Sequence, residues 1–147
     1  MMETKQPGHG PESLPDHTFS AISDRLMDRA YLQQRIHEEV ERSLRYKREF
    51  SLLFCESSPN DGVPLRRKIG LGVRAIEHVV RTSDIIALVY EDIIAVLLIE
   101  TGAAGLGDAL FRIRQRLNVD AGAWRFSGYS FPGDEAAIRA LPVLNAA

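Results

Sequence analysis

The side chains of this chain that could do chemistry gather around one apolar stretch, residues 79–100, VVRTSDIIALVYEDIIAVLLIE. Arg81 and Asp84 stand three residues apart just ahead of it, a cation and a carboxylate that together could hold a polar ligand. Two runs of branched apolar residues follow, separated by Tyr90-Glu91-Asp92, whose carboxylates make a polar tip. A fourth acid, Glu56, ends another apolar run, and the lone cysteine, Cys55, lies inside that run. A single cysteine excludes an internal disulfide, and with no histidine-plus-acid arrangement to support it Cys55 reads as a buried, inert thiol. The bland reading of the rest is equally concrete. Arg81 ends a helix against its dipole, Asp84 begins a strand, and Glu91-Asp92 are turn residues. The pattern R-x-x-D also recurs by chance in this arginine-rich chain, as Arg25-Leu26-Met27-Asp28.

These residues have to be positioned by regular elements, and the periodicities name them. Leu32, Ile36, Val40 and Leu44 recur every fourth residue and predict an amphipathic helix from Asp28 to about Lys47. FSLLFCE (50–56) reads as a buried strand and SSPNDGVP (57–64) as a loop. Leu65, Ile69, Val73, Ile76 and Val80 share a helical face over 65–80, in a helix that Gly70 and Gly72 weaken by about 1 kcal/mol each relative to alanine. The two apolar runs are strands joined at Tyr90-Glu91-Asp92. Thr101-Gly102 breaks the chain, and Ala103–Leu117 forms another helix. Ala123–Phe131 is a last strand, packing through Trp124, Phe126 and Tyr129, and a short helix runs from about Asp134 to Leu141. After an extra N-terminal helix the order is β-α-β-β-α-β, an α+β ferredoxin-like core whose antiparallel sheet is covered by helices. Residues 1–18 show no periodicity and read as a flexible tail before a single domain over 19–147.

Composition narrows the class. With 147 residues, 45% of them hydrophobic and 26% charged, the chain has the make-up of one ordinary globular domain. A formal charge of −2 gives no argument for nucleic-acid binding, and the basic runs Arg66-Arg67-Lys68 and Arg112, Arg114, Arg116 read as solvated faces. The start carries no apolar signal core, and the run Ile93–Ile99 is too short to span a bilayer, so no membrane partner and a cytoplasmic location are expected.

Several stretches together resemble the GGDEF domains of diguanylate cyclases, enzymes that condense two GTP molecules into cyclic di-GMP. Leu26-Met27-Asp28-Arg29 stands where that family has L-x-N-R, opening the first helix. Arg45-Tyr46 and Ser51-Leu52-Leu53 match R-Y-x-x-x-x-S-L-L, and Arg81-Thr82-Ser83-Asp84 matches R-x-x-D. Tyr90-Glu91-Asp92-Ile93-Ile94-Ala95-Val96-Leu97-Leu98 aligns without a gap to G-G-D-E-F-A-V-L-L. Thr101-Gly102, Arg112-Ile113-Arg114 and Ser127-Gly128 with Pro132 continue the likeness, over about residues 24–141.

The departures decide what the resemblance implies. Tyr90 and Glu91 replace the two glycines, whose missing Cβ lets backbone approach a phosphate, and Ile93 replaces the signature acid, followed by Ile94 for phenylalanine. The first metal acid falls on Glu56, but Ser57-Ser58-Pro59 replace D-x-F-K, the guanine-gripping segment is absent, and Arg66 stands where its last acid would be. Magnesium needs several oxygen ligands at about 2.1 Å. Only Glu56 and Asp92 could supply carboxylates, so no metal cofactor, no catalytic residue and no cyclase activity are expected. What the resemblance leaves standing is Arg81 and Asp84, which occupy the family's inhibitory cyclic di-GMP site. Arg81 could donate to guanine O6 and N7, and Asp84 could accept from N1 and N2. The expectation is a catalytically inactive regulatory domain that binds cyclic di-GMP there, or a nucleotide-independent module that binds a protein partner or a second copy of itself.

Overall fold

The computed structural model describes residues 23–59, 61–117 and 122–145, so the expected tail over 1–18 lies outside the described residues. The elements are β1 (Leu26–Met27), α1 (Arg29–Tyr46), β2 (Phe50–Ser57), α2 (Leu65–Glu77), β3 (Ile85–Tyr90) and β4 (Ile93–Ile99). They continue with α3 (Ala103–Arg116), β5 (Trp124–Phe131), α4 (Glu135–Arg139) and α5 (Pro142–Asn145). The sheet order is β1-β3-β4-β2-β5. From β2 to β5 this is the expected β-α-β-β-α-β core, every neighbouring pair antiparallel.

One strand was not expected. Leu26 and Met27 pair in parallel with Ile86 and Ala87, which makes the sheet mixed. They do not open the first helix, because Asp28 caps it: its backbone is extended and its carboxylate accepts from the Tyr31 amide at 2.9 Å. The helix therefore starts at Arg29 and leaves the preceding residues free to join the edge of the sheet. The second helix ends at Glu77, three residues early, where the amides of Val79 and Val80 both turn back to the Ile76 carbonyl.

Both faces of the sheet are covered, which is why β3 and β4 read as continuous apolar runs and do not alternate. On one face Ile69, Val73 and Ile76 of α2 and Ala109 and Ile113 of α3 pack on Leu53, Cys55, Ile86, Leu88, Ile94 and Val96. On the other, Leu32, Ile36 and Val40 of α1 pack on Phe50, Leu52, Ala87, Val89, Ala95 and Leu97, with Ile138 and Val143 closing the layer. The rings of Phe50 and Phe131 stack there at 5.1 Å.

The two helical glycines of α2 turn out to differ. A Cβ on Gly72 would lie 2.7 and 2.9 Å from ring atoms of Trp124 and 3.0 Å from Ile94, whereas one on Gly70 would meet nothing within 4 Å. Gly72 is thus a seat for the indole. Gly70→Ala is expected to stabilise the fold by about 1 kcal/mol through helix propensity. Gly72→Ala is expected to lower stability by about 1–3 kcal/mol because overpacking outweighs the same gain. Paired urea unfolding curves read both signs.

Candidate functional site

The hairpin tip joins β3 to β4 through Glu91 and Asp92, with a register shift between Leu88 and Tyr90. Neither tip residue needs a left-handed backbone; the positive-φ residues among those described are Lys47, Glu100, Gly62 and Gly122. Tyr90 and Glu91 therefore hold the turn without left-handed backbone strain. The Tyr90 ring lies under the Arg29 guanidinium, 5.5 Å from its centroid, and the Asp92 carbonyl accepts from the Ser57 amide at 2.9 Å. A cavity of about 670 Å³ opens beside the tip, lined by Ser57, Ser58, Asp61, Arg66 and Lys68 together with Tyr90, Glu91 and Asp92.

Within it lies a cation expected on a solvated face. Arg66 and Arg67 are exposed, but Lys68 is buried and its ammonium is held by the Asp61 carboxylate and, at 2.5 Å, by the Ser58 carbonyl. Asp61 also accepts from the amides of Val63 at 3.0 Å and Ala123 at 2.8 Å. The hydrogen bond from Lys68, then those from Ala123 and Val63, hold the Asp61 carboxyl well below the usual carboxylate range. This clasp folds the loop after β2 onto the entry to β5. The sequence signal for it was available: position 68 precedes Gly72 by one helical turn, on the flank of the apolar face.

The acids weighed as metal ligands do not converge. Glu56 pairs with Arg125 at 3.2 Å and lines a separate cleft of about 370 Å³, among Phe54, Ile93, Tyr129 and Val143. Asp92 lines the tip cavity. Among the described residues no group of three or more His, Cys, Asp or Glu side chains could hold a metal ion.

Arg81 and Asp84 do meet, in a particular way. Asp84 is buried, 4% exposed. Its Oδ2 accepts from the Arg81 amide at 2.8 Å, and its Oδ1 accepts from the Ile99 amide at 3.0 Å and faces the Arg81 guanidinium at 3.5 Å. The carboxylate thus ties the α2–β3 turn to the end of β4. The Arg81 side chain is half exposed; its Nη2 donates to the Ile99 carbonyl and, at 2.9 Å, to Thr101 Oγ1. A third participant went unrecognised. Arg25, part of the R-x-x-D dismissed as chance, donates to the carbonyls of Arg81 at 2.7 Å and Asp84 at 3.1 Å. Both halves of that second motif have structural work, since its Asp28 caps α1.

Removing the Asp84 carboxylate orphans two main-chain amides, at about 1–3 kcal/mol each. Asp84→Ala is expected to cost about 2–4 kcal/mol in urea unfolding, and Arg81→Ala less than about 1 kcal/mol because its contacts are exposed. The Asp61 clasp sets a pH limb. A carboxyl whose folded pKa is depressed contributes stability fully present above its unfolded value, near 4, and lost as pH falls through the lower folded value. The acid limb of stability below about pH 4 should flatten in Asp61→Asn, read by thermal melts across that range.

No protein-family model and no curated protein matches the sequence. Solved structures do. A DGC protein from Thermotoga maritima superposes with a TM-score of 0.70 at 16% identity, covering 78% of this chain and 91% of that one. The GGDEF domain of DgcB from Caulobacter crescentus, in complex with c-di-GMP, gives 0.65 at 16% identity over 97% and 92%. The diguanylate cyclase SiaD from Pseudomonas aeruginosa, in complex with its activator SiaC, gives 0.61 at 21% identity over 80% of this chain and 53% of that one. At these identities the likeness is one of architecture: this chain has the fold of a GGDEF domain.

Proposed function

We propose that the domain is a non-catalytic regulatory module of the GGDEF fold, acting through contact with protein rather than by turning over GTP. The observation that carries this reading is the tip cavity. Glu91 and Asp92 present carboxylates where a triphosphate would have to approach, and the cavity's buried cation, Lys68, is neutralised by Asp61. Phosphate recognition relies on close backbone approach and uncommitted positive charge; here Arg66 is the exposed cation facing three acids. The complex of SiaD with SiaC gives a precedent for a protein of this fold that binds a protein regulator. With GTP and either Mg²⁺ or Mn²⁺, no cyclic di-GMP should form by chromatography. Product that disappears in Asp92→Asn would overturn the reading.

A second reading, a receptor for cyclic di-GMP through Arg81 and Asp84, has one observation in its favour. The Arg81 side chain is 56% exposed, and its spacing from the tip is that of the family motif. Against it, Asp84 is engaged by three donors and shielded from solvent. Calorimetry with cyclic di-GMP should therefore register no binding heat. Heat that is abolished in a folded Arg81→Ala variant would establish the second reading instead.

A further inference from the structure

β5 is the outer strand of the sheet, pairing only with β2. The Ala123 carbonyl accepts from Ser58 across that pair, so odd-numbered residues of β5 turn their main-chain groups inward and even-numbered ones outward. Ser130 fits this parity and shows where the edge is closed: its amide donates to Asp134 Oδ2 at 2.9 Å and its carbonyl accepts from the Asp134 amide at 2.7 Å. Phe126 and Gly128 are outward residues of the same edge, and among the described residues nothing takes up their outward amides and carbonyls. Unpaired edges are ordinarily blunted by charge, proline or bulges. This one carries Arg125 alone as a charge and has no proline or bulge over its eight residues.

The geometry points to a second copy of this chain as the partner, its β5 added antiparallel to this β5 about a two-fold axis at Ser127. This inference rests on the reading of the domain as a contact module and names the partner. In that register Phe126 of each copy faces Gly128 of the other, and each such pair exchanges two main-chain hydrogen bonds. The pairing is self-complementary in shape as well. Phe126 lies across from a residue with no side chain, over which Leu106 of the same chain already packs, so no two bulky side chains compete for that space. Arg125, ion-paired with Glu56, faces Tyr129, so the two Arg125 residues stay apart; a register centred on Arg125 would oppose them directly. Asp134, closing the edge at Ser130, sets the length of the open segment. Phe111, 60% exposed on α3, adds apolar surface on the helix that packs over this strand through Leu106 on Gly128. The assembly closes at two, because the remaining sheet edge ends in the two-residue β1.

Ser127 is exposed, so substitutions there leave the monomer's core untouched. On the axis it faces its own counterpart in a non-hydrogen-bonded pair with Cα atoms about 4.5 Å apart, within disulfide range. Sedimentation velocity should show a dimer of the wild-type chain. Ser127→Lys and Ser127→Asp should each weaken it by about fivefold or more through like charges placed opposite each other, and their mixture should restore it. Under mild oxidation Ser127→Cys should lock the dimer covalently, whereas Arg125→Cys should not. Cys55 stays out of the reaction, since burial pushes its thiol up to about 12. A monomer at every concentration overturns the pairing. So does a dimer that ignores Ser127→Lys and does not cross-link through Ser127→Cys, though that result leaves the contact reading standing. GTP turnover would sink the contact reading whatever the state of the dimer.

Discussion

At the head of β3 one buried carboxylate, Asp84, accepts from the main-chain amides of Arg81 and Ile99 while facing the Arg81 guanidinium. A carboxylate withdrawn from water is tolerated only when donors replace its hydration, and charge-assisted bonds to amides do this well. The consequence is a joint between the end of α2, the start of β3 and the end of β4. Arg25 braces the same turn from the edge by its two carbonyl contacts, and so brings β1 beside β3. A motif that could read a guanine base is, in this chain, first a fastening.

The opposite end of the hairpin tells a complementary story. β3 and β4 are buried on both faces, so their pairing does not depend on what occupies the tip. Tyr90 and Glu91 hold the turn without left-handed backbone, and the Tyr90 ring finds a place under Arg29. Beside the tip, Lys68 and Asp61 draw the loop after β2 onto the entry of β5 and neutralise one another. The side chains that hold the sheet lie in its two apolar layers, and the buried ammonium beside the tip is satisfied by Asp61 and Ser58.

Much of this was legible in the sequence because it is periodic. Leu32, Ile36 and Val40 announced α1, and the unbroken apolar runs over 85–89 and 93–99 announced two buried strands, though not that α1 covers their second face. What could not be read depends on contacts between distant positions. Whether Asp84 points to solvent or to the Ile99 amide is set by a residue fifteen positions away. That Gly72 seats an indole depends on where β5 enters, and Lys68 looked like the end of a solvated basic run until the loop acid Asp61 was placed beside it. Local propensity likewise gave no sign that Leu26 and Met27 would join a sheet edge, since two residues are too few for a period.

The most direct measurement is an amide chemical-shift titration, following Arg81 and Ile99 at the joint and Ser57 and Ala123 beside the tip. Cyclic di-GMP and GTP with Mg²⁺ would be added separately. With the Asp84 carboxylate and the Lys68–Asp61 clasp both internally satisfied, none of these amides should move with either nucleotide. Saturable shifts of Arg81 and Ile99 with cyclic di-GMP, or of Ser57 and Ala123 with GTP and Mg²⁺, would contradict that.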